Sequence, residues 1–288
     1  YGEQVVSAVS GVISAQRKTD GWVLGGDDLS GQVNGMALPL RRFALDYSPT
    51  QMTLAAARMS LPQLQAHAQQ LQLIPSAWAG RLATAQVQGV LPRVHVQLQR
   101  GPNGWAFQTA EAEFKALSLQ PEGGRPGVER MAGWFRSGAN AGMAYLDTRQ
   151  ARLLLPDVFH EPVAVDSLQG GLRWQKRNGL WHIDSDVLKL VNADAEADAQ
   201  FALRLPVANP ADGQLELLAG LRKGRLASAY RYVPWHSAGD HTLAWLKRSL
   251  VAGDIEQATF LHVGPLRGGA NGGRLDMQFK LKNATLDY

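Results

Sequence analysis

His236, Asp240 and His241 stand together in His-Ser-Ala-Gly-Asp-His, and imidazole and carboxylate are both zinc ligands. The spacing matches no familiar zinc site, and no third protein ligand is evident. Asp240 is also well placed to cap a helix starting there, so the cluster is read as structural. Two carboxylate pairs, Asp184 with Asp186 and Glu111 with Glu113, have the i, i+2 spacing that shares one face of a strand. Such side chains sit about 7 Å apart, a separation compatible with glycoside hydrolysis. The plainer reading, a wet strand face, is preferred. Gly264 to Gly273 is glycine-rich, but a strand pattern follows it, whereas a phosphate-cradling loop needs a helix there. No Gly-x-Ser-x-Gly elbow is present. With no cysteine in the chain, disulfides, thiolate metal sites and cysteine nucleophiles are excluded. These observations predict a protein that is not an enzyme and has neither metal nor cofactor.

Trp22, Trp105, Trp174 and Trp181 fall in strand-like segments. Stacking on sugars is one reading. Core or rim packing is the favoured one, because aromatic residues are ordinary strand formers.

The 288 residues are 45% apolar and 19% charged, which argues against disorder. The net charge of +4 comes from 29 basic and 25 acidic residues spread along the chain. There is no basic stripe, so a nucleic-acid partner is not expected. No apolar run approaches the ~20 residues that span a bilayer. No signal peptide is visible and the first residue is Tyr1, which reads as a segment of a longer protein.

The elements that must position these side chains are mostly β-strands. Val94, Val96 and Leu98 alternate with His95, Gln97 and Gln99; Leu275, Met277, Phe279 and Leu281 alternate with Asp276, Gln278, Lys280 and Lys282. Each such strand has one apolar and one wet face. Ala151 to Leu155 reads as a strand stopped by Pro156. Val5, Val9, Val12 and Ile13 fit either helix or strand, and strand is preferred. Asn178-Gly179 predicts a type I′ hairpin between Trp174 and Trp181, and Ser137 to Asn140 a second reversal. Two helices are expected. One lies near 61–72, with Ser60 as cap, Pro62 in the first turn and Leu64, Ala68 and Leu71 as its stripe. The other runs from about Asp240 to Ala252, with Gly253 as its stop. No linker is rich enough to cut the chain, so residues 1–288 are expected to form a single segment.

Several blocks carry a family resemblance by their joint order. They are the helix Leu61 to Leu73, the strand pair around Val94 and Trp105-Ala106-Phe107, and Phe114 to Pro121. Leu172-Arg173-Trp174 with its Asn-Gly turn and Leu188 to Asp194 follow. Last come Tyr232-Val233-Pro234, Trp245 to Leu250, Gly253-Asp254-Ile255 and Phe260 to Leu266. In this order the chain resembles the YhdP-type AsmA-like proteins of Gram-negative bacteria. One departure is Arg267 to Gly272, where the family often has Phe-Pro-Phe. The resemblance implies a long, strongly curved antiparallel sheet forming a taco-like groove, apolar inside and polar outside. It also implies a non-enzymatic periplasmic segment of an inner-membrane-anchored protein that conducts phospholipid towards the outer membrane and supports its permeability barrier. Phospholipid acyl chains, adjoining segments of the same protein and, through parts outside this chain, both membranes are the implied partners.

The groove candidates are Val94, Val96, Leu98, Leu153, Leu155, Leu261, Val263, Leu275, Met277, Phe279 and Leu281. On the residues alone, packing of these faces against each other as an ordinary sandwich core is the favoured reading; the resemblance turns the preference to the groove. A structural or interaction module, whose sheet edges pair with neighbouring segments, and a carbohydrate-binding β domain remain the alternatives.

Overall fold

A computed structural model describes residues 5–38, 41–70, 84–102, 104–122, 125–233, 235–266 and 272–287. The chain falls into two compact units, one of residues 1–120 and 132–139, the other of 121–131 and 140–288. The chain crosses between them after the strand Gly104–Leu119, within the strand Gly127–Gly138 and in the turn after it. The fold is mainly β and antiparallel.

The first unit contains β1 (Val6–Lys18), β2 (Gly21–Val33), the two-residue β3 (Met36–Ala37), β4 (Arg42–Tyr47), β5 (Gln51–Ser60), β6 (Gln88–Gly101) and β7 (Gly104–Leu119). They are hydrogen-bonded in the order β1-β2-β4-β5-β6-β7, with β3 beside β2. Helix α1 (Leu61–Gln70) follows directly on Ser60, which closes β5. Leu64 on it is half-buried, whereas Leu71 and the rest of the expected helix lie outside the described residues. β8 (Gly127–Gly138) contributes residues to both units.

The second unit holds β9 (Ala141–Leu154), β10 (Val163–Arg177), β11 (Leu180–Ser185), β12 (Leu188–Val191), β13 (Ala195–Pro206), β14 (Gln214–Arg225), β15 (Leu250–Pro265) and β16 (Arg274–Leu286). Its order is β9-β10-β11-β13-β14-β15-β16, with β12 between β10 and β13. A 310 turn at Pro210–Asp212, a longer 310 helix at Leu226–Tyr232 and helix α2 (Trp235–Ser249) complete it.

The Asn178-Gly179 hairpin forms as expected, with φ of 50° and 74° and Arg177 paired to Leu180. The N-terminal segment is a strand. Helix α2 starts earlier and ends earlier than expected. It is broken at Gly239 (φ 71°), so Asp240 opens its second, regular part. It ends at Ser249, and Gly253 is not its stop. Gly253 sits inside β15 with φ 127°, where a Cβ would lie 2.8 Å from Ala284 Cα. Glycine is needed there for close strand approach. β9 is longer than the sequence indicates and ends at Leu154, leaving Leu155 outside it. The Leu155 carbonyl accepts turn bonds from the Val158 and Phe159 amides, both 2.8 Å.

Left-handed residues recur inside the strands: Ala8, Asp28, Arg58 and Ala116 in the first unit, Gln150 and Asn283 in the second. At Ala8, Asp28, Ala116 and Asn283 the register shifts, as at a bulge; across Arg58 and Gln150 the register holds but the alternation of buried side chains slips. Ala56 and Met59 are both buried although three apart, because Arg58 intervenes. Thr148 and Ala151 are both buried across Gln150 for the same reason.

Candidate functional site

Residues paired across an antiparallel ladder share a face, so the register sorts the side chains of each unit. In the first unit Trp22, Leu24 and Gly26 oppose Tyr47, Leu45 and Phe43. These are followed by Met52, Leu54 and Ala56 on β5, by Leu98, Val96 and Val94 on β6, and by Phe107, Ala110 and Ala112 on β7. One face is therefore apolar on every one of these strands. Val94, Val96 and Leu98 lie in its middle, half-buried. The opposite face carries ion pairs: Lys18 with Asp46, Arg42 with Asp27, Arg93 with Glu113 and Arg136 with Glu111.

The second unit repeats this division. Leu275, Met277 and Phe279 oppose His262, Phe260 and Ala258, and Leu281 opposes Ile255. The same face continues through Leu217 and Leu221 on β14, Phe201 and Leu203 on β13, and Ile183 on β11 to Trp174 on β10. Leu153 joins it beside the buried Val163. The other face holds Arg222 with Asp198, Lys223 with Glu196, Lys280 with Glu256 and Arg204 with Asp184.

Leu261 and Val263 do not share the face of Leu275 to Leu281. Their register partners are Asp276 and Arg274 on one side, Leu218 and Glu216 on the other, which puts them on the charged face. The sequence shows two alternating strands but not their relative register, and an offset of one residue reverses a strand.

The apolar faces are not closed into a core. Phe279 is 61% exposed, Met277 53% and Trp22 45%. Of the larger described side chains, only Val165 and Thr148 are below 2% exposure. A sandwich of two packed layers would bury these positions.

The candidate catalytic pairs are neutralised on the charged face. Glu111 meets Arg136 at 2.7 Å and Asp184 meets Arg204 at 2.9 Å; Glu113 and Asp186 meet Arg93 and Arg173. The hydrogen bond from Arg93 holds Glu113 below the usual carboxylate range, opposite to what a general acid needs. Asp240 lies 3.7 Å from His160, and the side chain of His236 falls outside those described. Among the described residues no group of three metal-ligating side chains converges.

One polar cluster escapes sequence reading. Asp194, in the β12–β13 turn, is 10% exposed and accepts bonds from Ser228 Oγ (2.8 Å), Tyr232 OH (3.0 Å) and Arg225. Asn192 donates to Tyr232 OH (2.9 Å) and to the Ala164 carbonyl (3.0 Å), and its Oδ1 accepts from the amides of Asp194 and Ala195. Burial alone would push Asp194 up. The bonds from Ser228, Arg225 and Tyr232 outweigh it and hold the carboxyl below its ordinary value. Burial, then the bond to Asp194, pushes the Tyr232 phenol up to about 12. The cluster ties the 310 helix Leu226–Tyr232 to the sheet. Asn192 and Asp194 announce a turn in the sequence, but nothing there indicates a partner 38 residues on.

In each unit one sheet face is mainly apolar and the other carries the ion pairs. No solved structure matches the chain. It is 25% identical over 171 residues to the intermembrane phospholipid transporter YhdP of Escherichia coli (strain K12), an alignment covering 57% of this chain and 13% of that relative. The family model described as YhdP protein matches residues 2–288, nearly the whole of the sequence. The chain therefore belongs to the YhdP family.

Proposed function

We propose that this chain is a non-enzymatic, periplasmic segment of a longer, inner-membrane-anchored protein that conducts phospholipid towards the outer membrane. Acyl chains travel along the apolar sheet face of each unit, and adjoining segments continue the path. The observation carrying this reading is the exposed apolar face, led by Phe279, Met277 and Trp22, opposite a face of ion pairs. Family membership and the relative's description as an intermembrane phospholipid transporter support it. Among the described residues no helix is long and apolar enough to cross a membrane, so anchoring is assigned to other parts of the protein.

The energetics suit a conduit. Sheltering one CH2 from water is worth about 0.8 kcal/mol, so a sixteen-carbon tail gains on the order of 12 kcal/mol on a track that needs no specific chemistry. Val94, Val96, Leu98, Leu153, Leu275, Met277, Phe279 and Leu281 are the proposed lining. Leu155 lies past its strand, and Leu261 and Val263 face the charged side.

The test is extraction of the purified chain with organic solvent and mass spectrometry of the extract. Phospholipid at a defined ratio, lost in Phe279→Asp, is expected. A stable, lipid-free chain would overturn the proposal.

A further inference from the structure

In the first unit the apolar face changes character at the tight-hairpin ends of β1, β4 and β6. Arg17 opposes Trp22, Trp22 opposes Tyr47, and Arg100 opposes Trp105. The Tyr47 and Trp105 rings lie 5.9 Å apart, and the Arg100 guanidinium sits 5.9 Å from the centroid of Trp105. All five side chains belong to the face of Leu98 and Phe107: Arg17, Trp22 and Tyr47 stand level with these two across the ladder, and Arg100 and Trp105 one step further out.

Their ion pairing differs from that of four cations on the opposite face, although Lys115 there also lacks an ion pair among the described residues. There, Lys18, Arg42, Arg93 and Arg136 each meet a carboxylate. Arg17 and Arg100 meet none among the described residues, and both are exposed. The second unit repeats the combination independently: Lys176, also without an acid partner among the described residues, opposes Trp181 on the apolar face.

Resting on the lipid-conduit reading, we propose that Arg17 and Arg100, framed by Trp22, Tyr47 and Trp105, form a docking rim for the phosphodiester of a glycerophospholipid whose acyl chains lie on the adjoining apolar face. Guanidinium is the side chain best matched to phosphate oxygens, through paired N–H donors and weak hydration. Tryptophan and tyrosine present an apolar body and a polar edge, which suits the boundary between acyl chain and headgroup. An unpaired cation beside a bare apolar surface complements a ligand bearing an anion and a hydrocarbon at once. A purely hydrocarbon ligand would leave both guanidinia unused.

Titration calorimetry with two probes tests this: dihexanoyl phosphatidylglycerol, and dihexanoylglycerol, which has the same chains without the phosphodiester. The unaltered chain is expected to bind the first about tenfold more tightly, as fits one or two charge-assisted contacts. Arg17→Gln/Arg100→Gln is expected to lose that preference while binding dihexanoylglycerol unchanged. Both side chains are exposed, and circular dichroism checks that the double variant keeps its sheet. Equal affinity of the unaltered chain for the two probes overturns the rim but leaves the acyl-chain reading standing. A preference retained in the double variant also overturns it. Binding of neither probe overturns both readings.

Discussion

Tyr47 on β4 and Trp105 on β7 meet with ring centroids 5.9 Å apart and planes at 56°, although β5 and β6 lie between their strands. Three strand spacings in a flat sheet amount to about 14 Å. The two rings come together because the sheet of the first unit curls towards its apolar face and the side chains lean across Met52 and Leu98. Curvature here is thus a property that can be tested through two side chains.

A double-mutant cycle on Tyr47→Ala and Trp105→Ala, followed by urea unfolding, is expected to give a coupling of about 1 kcal/mol, the usual worth of a tilted aromatic pair. Additive effects would show that the rings touch without holding the curl.

Gln150 has φ 53°, a conformation that costs a residue with a Cβ roughly 1 kcal/mol or more. Gln150→Gly is expected to leave the second unit as stable or slightly more stable. Gln150→Val is expected to destabilise it by about 1–2 kcal/mol, since a β-branched residue tolerates this region least. Thermal unfolding ranks the two, and the reverse order would refute the left-handed conformation at Gln150.

Asp194 has a depressed pKa, so its contribution is present above the unfolded value near 3.8 and is lost as pH falls through the folded one. Protection of the Leu226–Tyr232 amides, taken relative to their intrinsic exchange rate at each pH, is expected to fall on acidification below pH 3.8 but not between pH 8 and 5. Asp194→Asn is expected to cost about 2 kcal/mol at neutral pH, because Ser228, Tyr232 and Arg225 lose a charged acceptor. It should abolish the acid-dependent change in this segment. An unchanged acid response would locate the sensitivity elsewhere.

Phe279 and Leu261 separate the two faces of the same hairpin. Phe279→Asp places a charge on the proposed track and is expected to remove bound phospholipid from the extract. Leu261→Asp places one among Asp276, Glu216 and Arg274 on the other face and is expected to leave it near the unaltered level. Mass spectrometry of both extracts checks this, and equal losses would contradict the assignment of faces.

The order of residues alone shows a chain of antiparallel strands, each with one apolar and one wet side. Alternation such as Val94/Val96/Leu98 against His95/Gln97/Gln99 follows from the two-residue period of a strand. It also fixed the Asn178-Gly179 turn, because few other residue pairs adopt two successive positive φ angles, and the family, through the order of its blocks. Tertiary structure decided which faces line up. Leu261 and Val263 alternate as cleanly as Leu275 and Met277, yet a register invisible in either strand sets them on opposite sides. It also decided where the alternation slips, since Arg58 and Gln150 carry no local mark of a left-handed conformation imposed by the neighbouring strands. And only the folded chain brings Asp194 to Tyr232 or Tyr47 to Trp105, because those contacts depend on how far the sheet bends rather than on any residue's own preference.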